Sequence, residues 1–241
     1  MPNLFKWFTK DSGIENVSPQ ENSKEEKVSL HENTEAIIEE FSKLVEQGNQ
    51  AAVNRFIKFM ANAVQGELIS KCFYNDRNYG NFKNHIVGSF LLDLPLGEST
   101  KCNERFKIAD TPIISCIWNY TRTFNALQTI GTCNNNPFDV DANIRNIHSL
   151  LINPLGLVIV KGGNHSTNSA IVHNEGDIIA KESVDISTVL ERYKFNGKDY
   201  INIDTNEKID SPLLKNNSEP FVYTLGLLFE MARVLKEKQN R

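Results

Sequence analysis

Leu155-Gly156-Leu157-Val158-Ile159-Val160-Lys161-Gly162-Gly163-Asn164-His165-Ser166-Thr167-Asn168-Ser169-Ala170 is the stretch on which the fold turns. Its first six residues form a continuous apolar run, which suits a strand buried on both faces better than a helix. Gly162 and Gly163 break the run, and the small residues beyond Thr167 suit the opening of a helix. Periodicity on either side of this stretch then sets the class.

Downstream, a second strand is expected over residues 177–181. Phe195-Asn196-Gly197-Lys198 reads as a hairpin turn, with Tyr200, Ile201 and Ile203 in the return strand. Pro220 opens a long helix with Leu225, Leu228, Phe229 and Ala232 inward and Arg233, Lys236 and Lys238 near its end. Upstream, Ile37, Ile38, Phe41, Leu44 and Val45 keep helical spacing before Gly48, and Val53, Phe56, Ile57, Met60 and Val64 continue it in a second helix. Residues 71–80 read as loop. Residues 85–94 read as a short buried strand or helix ended before Pro95. A third helix is expected from Asp110, with Ile113, Ile117, Phe124, Leu127 and Ile130 on its stripe and Gly131 closing it. A fourth, capped by Asp139 or Asp141, would carry Ile144, Ile147, Leu150 and Leu151. Helices, a small mixed sheet and a closing C-terminal helix make an α+β protein.

Residues 1–32 are expected to be a disordered acidic tail, since 11–32 hold almost no large apolar side chains with which to offset ordering entropy. Leu4, Phe5, Trp7 and Phe8 form an apolar cluster ahead of that tail. It reads as a docking peptide for a protein partner, over residues 1–10, or a weak membrane-surface contact, against a segment folding back on the domain or a tail without a role. Residues 33–241 are read as a single domain.

The bulk numbers narrow the functional classes. Lys and Arg total 26 against 30 Asp and Glu, a formal net charge of −4, so duplex nucleic acid is not supported as a partner. The longest apolar stretches, 86–96 and 155–160, are too short to span a bilayer. Cys72, Cys102, Cys116 and Cys133 show no metal-knuckle or redox spacing. With no secretory segment, free thiols and a cytoplasmic location are expected.

The chemistry concentrates at the glycine turn. Gly162 and Gly163 leave backbone N–H groups uncovered, and a helix start adds more of them with a partial positive charge. Asn164, Ser166 and Thr167 supply hydrogen-bonding side chains, and His165 an acid or base. Together these compose a site for a nucleotide or another phosphate ligand, without the Lys-Ser/Thr pair of a P-loop. The competing reading is a tight turn in which Asn164 and Ser166 cap the helix and His165 is a hydrogen-bonded core residue.

Gly163-Asn164-His165-Ser166 resembles the Gly-x-His-Arg turn of the ParB/sulfiredoxin-like fold. In that family a strand ends in this turn, a helix follows, and the turn holds nucleotide phosphates. Asn136-Pro137-Phe138, a helix, then Asn153-Pro154 and a strand resemble the family's order, over about residues 134–186. Ser166 stands where the family usually has arginine. The segment also resembles bacterial proteins of unknown function, a likeness that carries no activity.

Asp139 and Asp141 are the candidate holders of a divalent metal beside the turn, with His148, His165, His173 and Glu175 as weaker donors. No pattern names a cofactor. A Ser166–His165 nucleophile pair is disfavoured, because adjacent side chains rarely face each other. Two functions therefore stand: a protein binding a nucleotide or phosphate at Gly162–Thr167, or a non-catalytic scaffold docking a partner through its N-terminal tail.

Overall fold

The computed structural model describes residues 30–74, 82–92, 99–209 and 219–239. Most of the expected tail, with its apolar cluster, lies outside the described residues.

α1 (Leu30–Glu46) and α2 (Gln50–Tyr74) form the expected helical hairpin around Gly48. The turn hydrogen-bonds Gly48 N to Val45 O, and Asn49 Oδ1 accepts from Ala52 N to cap α2. Val53, Ile57, Met60, Val64, Leu68 and Cys72 are buried along α2, so its stripe runs past residue 71 and absorbs the start of the expected loop. Residues 75–80 lie outside the described residues. α3 (Phe82–Leu91) resolves the strand-or-helix choice as a helix.

β1 (Thr100–Lys107), β2 (Ile113–Ser115), β3 (His148–Asn153), β4 (Leu157–Gly162) and β5 (Asp177–Asp185) form a mixed sheet ordered β1-β5-β3-β4-β2. β4 runs parallel to β2 and antiparallel to β3, while β5 runs parallel to β3 and antiparallel to β1. β4 is the predicted buried strand, with Leu157, Val158, Ile159 and Val160 fully covered. α4 (Tyr120–Thr129) follows β2 and α5 (Asn164–His173) follows β4. α6 (Ser187–Arg192) leads into the hairpin of β6 (Tyr193–Phe195) and β7 (Tyr200–Asn202), and α7 (Glu219–Gln239) closes the chain.

Core packs on both sheet faces. Leu150, Ile152, Leu157 and Ile159 share one buried cluster with side chains of α1, α2, α3 and α7, while Leu151, Val158 and Val160 share a second with Phe138, Ile147, Ala170 and Ile178. Each such side chain contributes roughly 1.5–3 kcal/mol by leaving water. No described helix is long and apolar enough to cross a membrane.

Two expected helices are corrected. The stripe from Asp110 splits into β2 and α4, because Ile113 and Ile114 face opposite cores and β4 offers them a parallel ladder. The helix begins only where Asn119 Oδ1 accepts from Arg122 N at 2.9 Å. The helix expected after Asp139 is a run of turns over 140–146 followed by β3. Leu150 and Leu151 point to opposite faces of a central strand, a burial that helical spacing imitates. The order of elements on which the ParB/sulfiredoxin-like resemblance rested is therefore different here.

Candidate functional site

The glycine turn joins β4 to α5, as the sequence reading requires. Gly163 is the residue before the first helical turn, with φ of 75°, a left-handed conformation that glycine adopts without strain. Chain 146–148 lies directly against both glycines. A Cβ on Gly162 would stand 2.8 Å from His148 Cδ2, and one on Gly163 would stand 2.8 Å from Ile147 Cγ1. Close approach, as well as backbone freedom, therefore demands the pair.

The polar residues after the turn face inward. Asn164, Thr167, Asn168 and Ser169 are buried. Thr167 Oγ1 donates to Gly163 O at 3.0 Å, and Ser169 Oγ lies 3.1 and 3.0 Å from the carbonyls of Ala126 and Ile130. Gln65 Nε2 donates to Asn168 Oδ1 at 2.8 Å, while Gln65 Oε1 accepts from Ser115 N at 2.6 Å. Ser115 Oγ donates to Asn164 O at 2.6 Å. This seam ties α2, β2, α4 and α5 together, and it offsets the cost of burying so many polar groups. Asn164 Oδ1 is buried without a partner among the described residues. Ser166 is half-buried.

His165 sits at the start of α5, where its Nε2 accepts from Asn119 N at 3.3 Å, just ahead of α4. The Trp118 ring meets it edge-on at 5.4 Å, and the Arg122 guanidinium lies 5.3 Å over that indole. Burial first, and the charge of Arg122 second, pull the imidazole from its usual 6.5 down to about 4. His165 is therefore neutral at pH 7, a hydrogen-bonding group rather than a cation.

That shift has a consequence for stability. Between pH 6.5 and 4 the unfolded chain binds a proton that the folded chain refuses, so stability is complete above pH 6.5 and falls as pH drops toward 4. The loss is about 2 kcal/mol after allowing for partial exposure. Urea unfolding at pH 7 and pH 4.5 should give a smaller difference in His165→Gln than in the parent chain. An equal difference in both would rule this out.

Alongside the turn lies a cleft of about 1150 Å³ between α3 and the sheet. Val87, Leu91 and Leu92 form its apolar wall. The opposite side carries Lys101 from β1, His148 from β3, Lys161 from β4, and Lys181 and Glu182 from β5. Among the described residues, three lysines thus line it against a single carboxylate, on a chain whose net charge is negative. Lys161 Nζ pairs with Glu182 Oε2 at 2.7 Å, and Lys181 Nζ donates to Ile144 O. Lys101 has no ion pair among the described residues. His148 joins cleft and turn, because its ring lies on Gly162, the residue after Lys161.

The candidate metal residues lie elsewhere. Asp139 Oδ1 accepts from the backbone of Asp141 and Ala142, and Asp141 Oδ1 accepts from Arg105 Nη2 at 2.7 Å. Neither lines the cleft. Among the described residues no group of three or more His, Cys, Asp or Glu side chains is placed to hold a metal. His173 faces Cys133, and Glu175 accepts from Thr132 and Phe138.

Sequence reasoning missed the lysines. They come from three strands, and β1 itself, with most side chains exposed, has no period-two apolar pattern to mark it.

A family model described as a family of unknown function (DUF6710) matches residues 15–241, and the chain belongs to that family. No curated protein and no solved structure matches the chain.

Proposed function

With membership of that family as the premise, we propose that the chain binds a phosphate-bearing small molecule of nucleotide class in the cleft between α3 and the sheet. The observation that carries this reading is the convergence of Lys101, Lys161 and Lys181, with His148, against one carboxylate among the described residues. Ammonium groups donate charge-assisted hydrogen bonds to phosphate oxygens, and several on one wall suit more than one phosphate. Val87, Leu91 and Leu92 offer the other wall an apolar surface for a base or other planar group. The cleft is also far roomier than a lone phosphate needs.

The glycine turn borders this cleft through His148 and Gly162. His165 and Ser166 are half-buried at the N-terminal turn of α5, outside the cleft lining, and the neutral imidazole keeps its Nε2 for the Asn119 N–H. Asn164 and Thr167 support the turn from beneath. A cytoplasmic location, where nucleotides are abundant, fits this ligand class.

A thermal-shift series tests the proposal on the full chain. Nucleoside di- and triphosphates should raise the melting temperature in proportion to the logarithm of concentration, reaching about 2.7 kcal/mol of stabilisation at a hundredfold excess over Kd. The corresponding nucleosides should give no shift. Equal shifts with nucleosides would move recognition away from the lysines. No shift with any phosphate ligand would sink the proposal and favour a scaffold role for the chain.

A further inference from the structure

The four cysteines all carry free thiols, and Cys133 alone among them is exposed. Cys72 is buried against Thr123 Oγ1 at 3.8 Å, and burial pushes its thiol up. Cys116 is buried, and the half-buried Cys102 donates its Sγ–H to Ala180 O at 3.1 Å. Cys133 lies in a 3₁₀ turn over Thr132–Asn134, with Sγ 3.9 Å from Nδ1 of His173.

The surroundings hold that pair in place. His173 ends α5, and its ring lies so close over Gly131 that a Cβ there would stand 2.9 Å from Cδ2 and Nε2. The turn is anchored from its other side by Glu175, whose carboxylate accepts from Thr132 N at 2.9 Å, Thr132 Oγ1 at 2.7 Å and Phe138 N at 3.2 Å. The Thr132 backbone N–H and hydroxyl, then the Phe138 N–H and the neighbouring His173, hold that carboxyl below the usual range. It therefore remains an anion beside the imidazole. His173 Nε2 is buried with no partner among the described residues, so the thiol is the polar contact the ring makes.

We infer that Cys133 and His173 form a nucleophile–base pair, a covalent modification site for soft electrophiles on the turn that precedes Asn135. His173 Nδ1 takes the thiol proton as sulfur attacks, and the Glu175 anion offsets the charge the ring then carries. With iodoacetamide an S–C bond forms, the C–I bond breaks and iodide leaves with the bonding pair, while the proton passes from His173 to water. Neither residue lines the lysine cleft, so the pair stands apart from the ligand proposed there.

The test is alkylation of the native full chain by iodoacetamide at pH 7, with the modified cysteine located by peptide mass mapping. Cys133 should react at least about fivefold faster than N-acetylcysteine in the same buffer, with Cys72, Cys102 and Cys116 far behind. His173→Gln, which keeps the side chain's reach without a base, should bring Cys133 back to the N-acetylcysteine rate. A native Cys133 no faster than N-acetylcysteine overturns the inference, as does an unchanged rate in His173→Gln. Should that variant fail to fold by circular dichroism, the comparison of the native parent chain with N-acetylcysteine decides alone.

Discussion

Replacing Lys101 and Lys161 together by alanine is expected to weaken binding of a nucleoside triphosphate by about a hundredfold or more, since each charge-assisted hydrogen bond contributes roughly 1.5–3 kcal/mol and 1.4 kcal/mol is tenfold. The fold should hardly notice. Lys101 is exposed on an edge strand, and the Lys161–Glu182 pair joins side chains 27% and 42% exposed. An ion pair so open to solvent contributes under about 1 kcal/mol. Titration calorimetry at fixed ionic strength would measure the affinity, with urea unfolding alongside to show that the variant is intact. Glu182→Gln gives the opposite sign. Glu182 competes for the Lys161 ammonium at 2.7 Å, so neutralising it frees a donor and should tighten binding several-fold. If both variants bind as the parent chain does, phosphate recognition is not at these lysines.

The parts of this molecule that could be read from its sequence are those whose side chains report one environment. The α2 stripe of Val53, Ile57, Met60 and Val64 meets a single core, so period and burial coincide. The run Leu157 to Val160 is apolar throughout because both faces of β4 are covered, and two glycines end it where chain 146–148 presses close. Leu150 and Leu151 mislead because a strand buried on both faces has no period of its own. β1 was hidden for the opposite reason, since an edge strand such as Lys101-Cys102-Asn103-Glu104-Arg105 leaves most of its side chains in water.

The candidate site follows the same logic. The Gly162–Gly163 turn and the helix start at Asn164 were legible because strand end, glycines and small residues are contiguous in sequence. Asn164, Thr167 and Asn168 share that composition yet serve a buried seam, since hydrogen-bonding groups look alike whether they meet a ligand or Gln65 and Ser115. Lys101, Lys161 and Lys181 meet only through the β1-β5-β3-β4 order, in which two antiparallel pairs flank one parallel pair. Strand order is a property of the packed sheet, so no local pattern announces a cluster assembled by it.

Gly226→Ala reverses the sign usual for such a change. In an exposed helix the substitution stabilises by about 1 kcal/mol, because alanine restricts the unfolded chain and glycine does not. Gly226 instead lies buried in α7, where a Cβ would stand 2.5 Å from Phe195 Cγ and closer still to ring atoms Cδ1 and Cε1. The ring has little room to retreat. It packs at 5.2 Å from Tyr200 and 6.3 Å from Tyr223, and the Phe195 N–H is held by Glu230 Oε1 at 2.7 Å. Overpacking of this kind costs about 1–3 kcal/mol, so Gly226→Ala should lower the urea midpoint at unchanged slope. A double-mutant cycle with Phe195→Ala isolates the cause. Phe195→Ala alone removes a buried ring and should cost about 3–5 kcal/mol. In that background the ring is gone, the ordinary helix preference returns, and Gly226→Ala should stabilise by up to about 1 kcal/mol. A destabilisation by Gly226→Ala that is the same with and without the ring would place the cost in the α7 backbone rather than in its approach to β6.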